Sequence, residues 1–303
     1  MSSATQLKSV KLGFGVSGPL TADWFSERRT AALIDQALGL GVRHFDTAPF
    51  YGAGEARLAA ALRRCARNDV IISTKTGTRR IGLRETVKDF SAEGVYADVM
   101  RSVERFAPAK VDIVYLHGPN HRELDAGVEV LRRLQADGAI ARVGVCCHGY
   151  VLPRAVDRGV DAIMGRYNFL DRDNAAVFET AKAKGMHVCA FAPLGQALFA
   201  ARATTVRSLA DIWRVTRAYL DQGPAVKRAH AARDVLTELA PMTAASAALS
   251  FVAGAENVDA AMVTTTKPAH LAELAAAAET RLDDRARAVL DAAAAIMAAP
   301  DAD

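Results

Sequence analysis

Short, uninterrupted apolar runs alternate with amphipathic helical stretches along almost the whole of this 303-residue chain. The pattern predicts strands over Lys11–Val16, Val42–Phe45, Val70–Lys75, Val111–Leu116, Ala141–Cys146, Ala162–Gly165, His187–Phe191 and Ala260–Thr264. Between them, apolar residues recur at helical spacing over Glu27–Leu40, Glu55–Arg67, Ser91–Phe106, Glu123–Asp137, Val151–Arg158, Asn174–Lys184, Ala244–Ala253 and Pro268–Ala278. A last amphipathic helix is expected over Asp283–Ala298. Strands that read as continuous apolar runs, rather than alternating ones, are buried on both faces, as in a parallel sheet covered by helices. About eight strand-and-helix units in a chain of this length favour closure into a (β/α)8 TIM barrel, α/β in class, forming a single domain over 1–303. The alternation breaks between Gln196 and Met242, where two helices are expected around Ser208–Leu220 and Ala225–Leu239.

Composition narrows the function. Hydrophobic residues make up 51% and charged residues 24%, the balance of a soluble globular protein with an ample core. The net charge of +4 comes from Lys and Arg scattered among Asp and Glu, without a basic block or interleaved aromatic array. Nucleic-acid binding is therefore not expected. No apolar run approaches a membrane span, and MSSATQLKSV lacks a signal-peptide core, so no membrane partner and a cytoplasmic location are expected. The four cysteines, at 65, 146, 147 and 189, lack metal-site spacing, so reduced buried thiols and no metal are expected.

Chemistry gathers at the carboxyl ends of successive strands. Asp46 and Tyr51 follow the second strand, Lys75 ends the third and His117 follows the fourth. A barrel brings those ends to one face, where barrel enzymes build their sites. A free tyrosine, with a pKa near 10, exchanges protons poorly at neutral pH. A nearby ammonium favours its phenolate, and an aspartate paired with that lysine keeps the ammonium charged and aimed. A histidine opposite can hydrogen-bond a substrate oxygen. The four together suit proton exchange with a carbonyl or alcohol oxygen, while hydride must come from a nicotinamide cofactor. His44, His148 and His187 lie outside this constellation and read as structural or loop residues.

FDTAPFYG followed by GEARLAAAL, then IISTKTG, then VDIVYLHGPN, resembles the aldo-keto reductase superfamily over essentially the whole chain. The resemblance implies Tyr51 as general acid/base, Lys75 and Asp46 as its tuning pair, and His117 as the residue that orients the carbonyl. It implies NADP(H), with NAD(H) as the alternative, bound at the carboxyl face without a Rossmann glycine motif. Phe191 stands where the family stacks an aromatic ring on the nicotinamide, and Leu194 and Gly195 begin the pyrophosphate loop. Cys146-Cys147 replaces the usual Ser-Asn amide pair, and Met164 replaces a Gln, with Arg166 and Asn168 nearby. At the adenosine end stand Thr264, Thr265, Thr266, Lys267, His270 and the acidic Glu273, at a helix N-terminus whose N–H groups suit a phosphate. Trp24, Phe50 and His121 fall on carboxyl-face loops and are expected to meet a small-molecule carbonyl or sugar substrate. The resemblance thus points to reduction of aldehydes or ketones. An aldose dehydrogenase, or a cofactor-binding regulatory subunit with little turnover, is the alternative. It leaves the oligomeric state open.

Overall fold

A computed structural model describes residues 11–65, 69–81, 85–195 and 228–299. Its barrel strands are β1 (Leu12–Gly15), β2 (His44–Asp46), β3 (Ile71–Thr76), β6 (Ile113–His117), β7 (Arg142–Cys146), β8 (Ala162–Arg166), β9 (His187–Phe191) and β10 (Ala260–Val263). A short hairpin, β4 (Thr78–Ile81) and β5 (Glu85–Lys88), stands outside it. The helices are α1 (Glu27–Gly39), α2 (Gly54–Cys65), α3 (Ala92–Phe106), α4 (His121–Ala136), α5 (Val151–Asp157), α6 (Ala175–Ala183), α7 (residues 228–236), α8 (Ala244–Ala253), α9 (Pro268–Ala278) and α10 (Asp284–Ala298).

The barrel closes in the order β1-β10-β9-β8-β7-β6-β3-β2. Its strands pair in parallel, so the expected (β/α)8 architecture is present. The register aligns Gly15 with Asp46, Asp46 with Ser73, Lys75 with Tyr115, and His117 with Cys146. Those pairs carry the polar strand ends to one rim.

Burial on both faces explains why the strands read as continuous apolar runs. One side chain layer, including Phe14, Phe45, Ile72, Val114, Val143 and Ile163, packs against the helices. A second layer, including Ile71, Ile113, Tyr115, Met164, Cys189 and Met262, fills the barrel interior. The Tyr115 ring fits there because Gly144 lies beside it: a Cβ at 144 would sit 2.4 Å from the ring.

Helix α2 fixes the octet that precedes it. Glu55, fully buried in its first turn, accepts hydrogen bonds from Thr74 Oγ1 (2.6 Å) and Ser102 Oγ (2.7 Å) and pairs with Arg105. One carboxylate therefore ties α2 to β3 and α3. The backbone enters this helix so close to β1 that a Cβ on Gly54 would lie 2.5 Å from Thr47 Oγ1 and 2.9 Å from the Val16 carbonyl.

Several expectations shift. The stretch after β3 is the β4–β5 hairpin, where a loop was expected, because its polar Thr/Arg composition carries no alternating apolar signal. Arg79 anchors it to Asp89 and Asp98 at 3.0 and 2.9 Å. Strand β2 runs on to Asp46, and β3 to Thr76, one residue past Lys75. Helix α7 ends in a 3-10 turn, Thr237–Leu239, because Pro241 favours an extended Ala240. The helix expected around Ser208–Leu220 lies outside the described residues. Among the described residues, no single helix is long and apolar enough to cross a membrane.

Candidate active site

Strand β2 ends by delivering the Asp46 carboxylate, buried, to the carboxyl rim. The Pro49–Tyr51 3-10 turn then carries Phe50 and Tyr51 outward, and Gly52 reverses the chain at φ 63°. Lys75 arrives from the neighbouring strand with 2% of its surface exposed. Its Nζ donates to Asp46 Oδ2 and, at 3.0 Å, to the Thr47 carbonyl. Ser73 Oγ donates to the other Asp46 oxygen at 2.8 Å, so the carboxylate is held at both ends. A charge buried this deeply is tolerable because it is paired and hydrogen-bonded. Burial acts to lower the ammonium's pKa, but Asp46 and its hydrogen bond outweigh it, and Lys75 stays charged.

Lys75 Nζ lies 5.1 Å from the Tyr51 ring centroid. That ammonium is the largest single influence on the phenol and pulls its pKa down, but burial, Asp46 and Cys146 together push it above 10. At neutral pH Tyr51 therefore holds its proton. The His117 ring is 6.1 Å from that of Tyr51 and 5.6 Å from that of Phe50, each edge to face. Burial, then the Lys75 and Lys88 charges, hold its pKa down at about 3, so its imidazole is neutral. Its Nδ1 is buried without a protein hydrogen-bond partner.

These groups share a cavity of about 440 Å³. Phe50 lines it, as expected. Trp24 does not: it is 77% exposed and rests edge-on against Phe25. His121 packs on Tyr150, 4.9 Å between centroids, outside the lining. Two contributors were not anticipated. The hairpin brings Thr78, Thr86 and Lys88 to the wall, with Lys88 donating to the Gly118 carbonyl at 3.0 Å. His148, read from sequence as a structural or loop residue, also lines the cavity and stands edge-on to Phe191 at 5.0 Å. Neither has a clear sequence signal: the hairpin strands are mostly polar, and His148 lies between β7 and α5.

Half-buried Phe191, at the end of β9, lines the same cavity. Beyond it, Ala192 at φ 54° and Gly195 at φ 61° turn the chain away, and half-buried Leu194 packs on the core. Cys146, Cys147 and Met164 line the same cavity. Burial pushes the Cys146 thiol up to about 12, so it remains a weak S–H donor. Asn168 is committed to its own turn: its Oδ1 accepts from the Leu170 and Asp171 amides, and its Nδ2 donates to the Ala192 carbonyl. Arg166 lies 5.9 Å from the Phe191 centroid.

At the β10–α9 turn, Thr264 lines the cavity, donates to the Gly15 carbonyl at 2.9 Å and meets Ser17 Oγ at 3.0 Å. Thr265 Oγ1 accepts from the Lys267 amide, and Thr266 is half-buried. Lys267 and His270 flank the open start of α9 in solvent. Glu273 accepts from Thr243 Oγ1 (2.5 Å) and Ser246 Oγ (2.9 Å), which joins α9 to the cap of α8.

The neutral His117 gives a pH dependence with a definite sign. Between pH 6.5 and about 3 the unfolded chain binds a proton at this position that the folded chain refuses. Folding stability is therefore lost as pH falls through that window, by about 1.4 kcal/mol per pH unit. Urea unfolding from about pH 5.5 to about pH 4 should show wild type losing that much more per unit than His117→Gln. Parallel slopes would mean that the imidazole protonates freely in the folded protein.

Comparison with known proteins sets this geometry in context. The model of the aldo/keto reductase family matches residues 11–295. A D-threo-aldose 1-dehydrogenase from Pseudomonas sp is 30% identical over 182 residues, 50% of this chain and 54% of the relative. An L-galactose dehydrogenase from Arabidopsis thaliana is 31% identical over 215 residues, 64% of each chain. The matched regions thus cover less than two thirds of both relatives. Among solved structures, a glycerol dehydrogenase from Gluconobacter oxydans superposes with a TM-score of 0.80 at 21% identity, covering 97% of this chain and 94% of its own. The holo form of an aldo-keto reductase from Bacillus halodurans gives 0.75 at 22% identity, over 93% and 91%. At such identities these structures speak for the fold alone.

Proposed function

The chain belongs to the aldo/keto reductase family, and from that premise we propose that it is an NADPH-dependent reductase of small aldehydes and ketones. The observation that carries the reading is a protonated Tyr51 phenol beside a charged Lys75, with a neutral His117 on the same cavity wall. These three proton states are the ones a carbonyl reduction needs.

The residues present fit a nicotinamide. Phe191 would offer a flat ring to the nicotinamide, Cys146 and Cys147 line the same cavity and would offer it weak S–H donors, and Thr264 to Lys267 lead into a helix N-terminus suited to a phosphate. When bound, the nicotinamide supplies the hydride. This chain's residues do the rest. The neutral His117 imidazole hydrogen-bonds the substrate oxygen and orients the carbonyl. Tyr51 gives its phenolic proton to that oxygen as charge develops on it. Lys75, held by Asp46 and the Thr47 carbonyl, stabilises the phenolate left behind. In the reverse direction the phenolate takes the alcohol proton, so oxidation gains from alkaline pH.

An aldose dehydrogenase acting in that reverse direction is the second reading, favoured by the names of the D-threo-aldose and L-galactose dehydrogenases. Three buried thiols, Cys146, Cys147 and Cys189, suit the reducing cytoplasm, which is the compartment we propose. The test follows reduced-nicotinamide absorbance with NADPH or NADH and a panel of aldehydes, ketones and aldoses. Turnover favouring NADPH and small carbonyls supports the reductase. Oxidation of aldoses with little reduction selects the second reading. Tight cofactor binding with no turnover in either direction overturns both.

A further inference from the structure

Three side chains that the proton chemistry does not use meet inside the barrel, toward its amino-terminal end. His44 opens β2, and His187 and Cys189 alternate on β9 so that both point to the same side of the strand. His44 and Cys189 are fully buried and His187 is 7% exposed. One candidate ligand atom from each lies within 4.8 Å of the others, and the two imidazole centroids are 5.5 Å apart.

The hydrogen bonds around the rings decide which nitrogens carry lone pairs. Ser73 Oγ gives its proton to Asp46, so it must accept from His44 Nε2, 3.0 Å away. That places the His44 proton on Nε2 and leaves Nδ1 as a lone pair. On the other ring, Nδ1 faces the Asp259 carboxylate at 3.6 Å, which favours the proton there and leaves Nε2 as a lone pair. His44 Nδ1 and His187 Nε2 are the two ring nitrogens without a hydrogen-bond partner in this cluster. Buried lone pairs of this kind are costly unless something accepts them. The surrounding hydroxyl and carboxylate have the arrangement that orients metal-bound histidines.

We propose that His44, His187 and Cys189 form a site for a zinc-class divalent metal ion. Two imidazoles and one thiolate are a donor set such ions prefer, with a fourth position left to the Tyr115 hydroxyl or a water. On binding, the Cys189 S–H proton is released to solvent and the sulfur becomes a thiolate ligand. The Tyr115 hydroxyl, 3.4 Å from that sulfur, donates to it. Asp259 also accepts from Lys182 Nζ at 2.7 Å and from the Val188 amide, so it is fixed behind His187. His187 also lines a polar cavity of about 540 Å³ at the amino-terminal ends of β7 and β9, beside Arg142 and Asp161, and this is the side from which an ion would approach. The cysteine spacing gave no hint of this set, since β2 and β9 come together only through barrel closure.

The test uses the full-length protein without a histidine tag, stripped with chelator, titrated with Co²⁺ as a spectroscopic stand-in and then with Zn²⁺. Wild type should take up about one ion per chain and show a thiolate-to-cobalt charge-transfer band that Zn²⁺ abolishes. The band should vanish in Cys189→Ser, fall sharply in His187→Gln and persist in Cys65→Ser. If Cys189→Ser does not fold, X-ray absorption at the cobalt edge of wild type reads the ligand set directly, with one sulfur and two imidazoles expected. No charge-transfer band in wild type, a band that survives Cys189→Ser, or a shell of oxygen and nitrogen alone would overturn the assignment and leave a buried water as the bridge between the rings.

Discussion

Tyr51→Phe should lower kcat by about 10²- to 10⁴-fold while NADPH binding stays nearly unchanged. Phenylalanine keeps the ring that faces Lys75 at 5.1 Å and His117 at 6.1 Å, so the local packing survives. It removes the hydroxyl alone, and with it the proton donor. Since the proposed cofactor contacts, Phe191 and Thr264, are left unchanged by this substitution, fluorescence titration of bound NADPH should barely move. The remaining rate should also lose its alkaline fall, because that limb reports a phenol with pKa above 10. A variant that keeps a tenth or more of wild-type kcat would show that another group, such as a water held by His117, supplies the proton, and the Tyr51 role would be withdrawn.

Residues close in sequence to a strand end were the legible part of this site. Asp46, Tyr51, Lys75 and His117 could be placed because parallel strands in a barrel bring their carboxyl ends to one rim, whatever the detailed register. Phe50 and Phe191 came with them for the same reason. Trp24 and His121 fall off the cavity lining, because a loop's membership of the carboxyl face does not say which way its side chains turn. Trp24 is exposed to solvent and His121 leans on Tyr150. Glu273 shows a different limit. A helix position suited to an adenine contact also faces Thr243 and Ser246, and that neighbour relation depends on how α8 packs beside α9. The β4–β5 hairpin left no periodic trace, yet it places Lys88 against the cavity and Arg80 over the Phe50 ring at 5.1 Å. Glu55 was passed over as part of a helix, although buried carboxylates are rare enough to merit a search for partners. Its partners on β3 and α3 are 19 and 47 residues away.

Lys75→Met should unfold more easily than wild type by about 3–5 kcal/mol, besides losing activity. The cause is asymmetric. The methionine fills much of the lysine's volume, but Asp46, 6% exposed, is left with Ser73 as its remaining side-chain donor. An uncompensated buried carboxylate costs more than the pair ever contributed, because desolvation of both ions had offset most of their attraction. Replacing both partners, as in Lys75→Met with Asp46→Leu, should therefore recover much of the loss, and the double variant should be more stable than Lys75→Met alone. Urea unfolding followed by circular dichroism at neutral pH measures all four corners of that cycle. A double variant whose loss equals the sum of the two single losses would mean that the ion pair is not the interaction at stake. Recovery of stability without recovery of turnover would separate the two duties proposed for Lys75: holding the Asp46 charge in the fold, and stabilising the Tyr51 phenolate in the reaction.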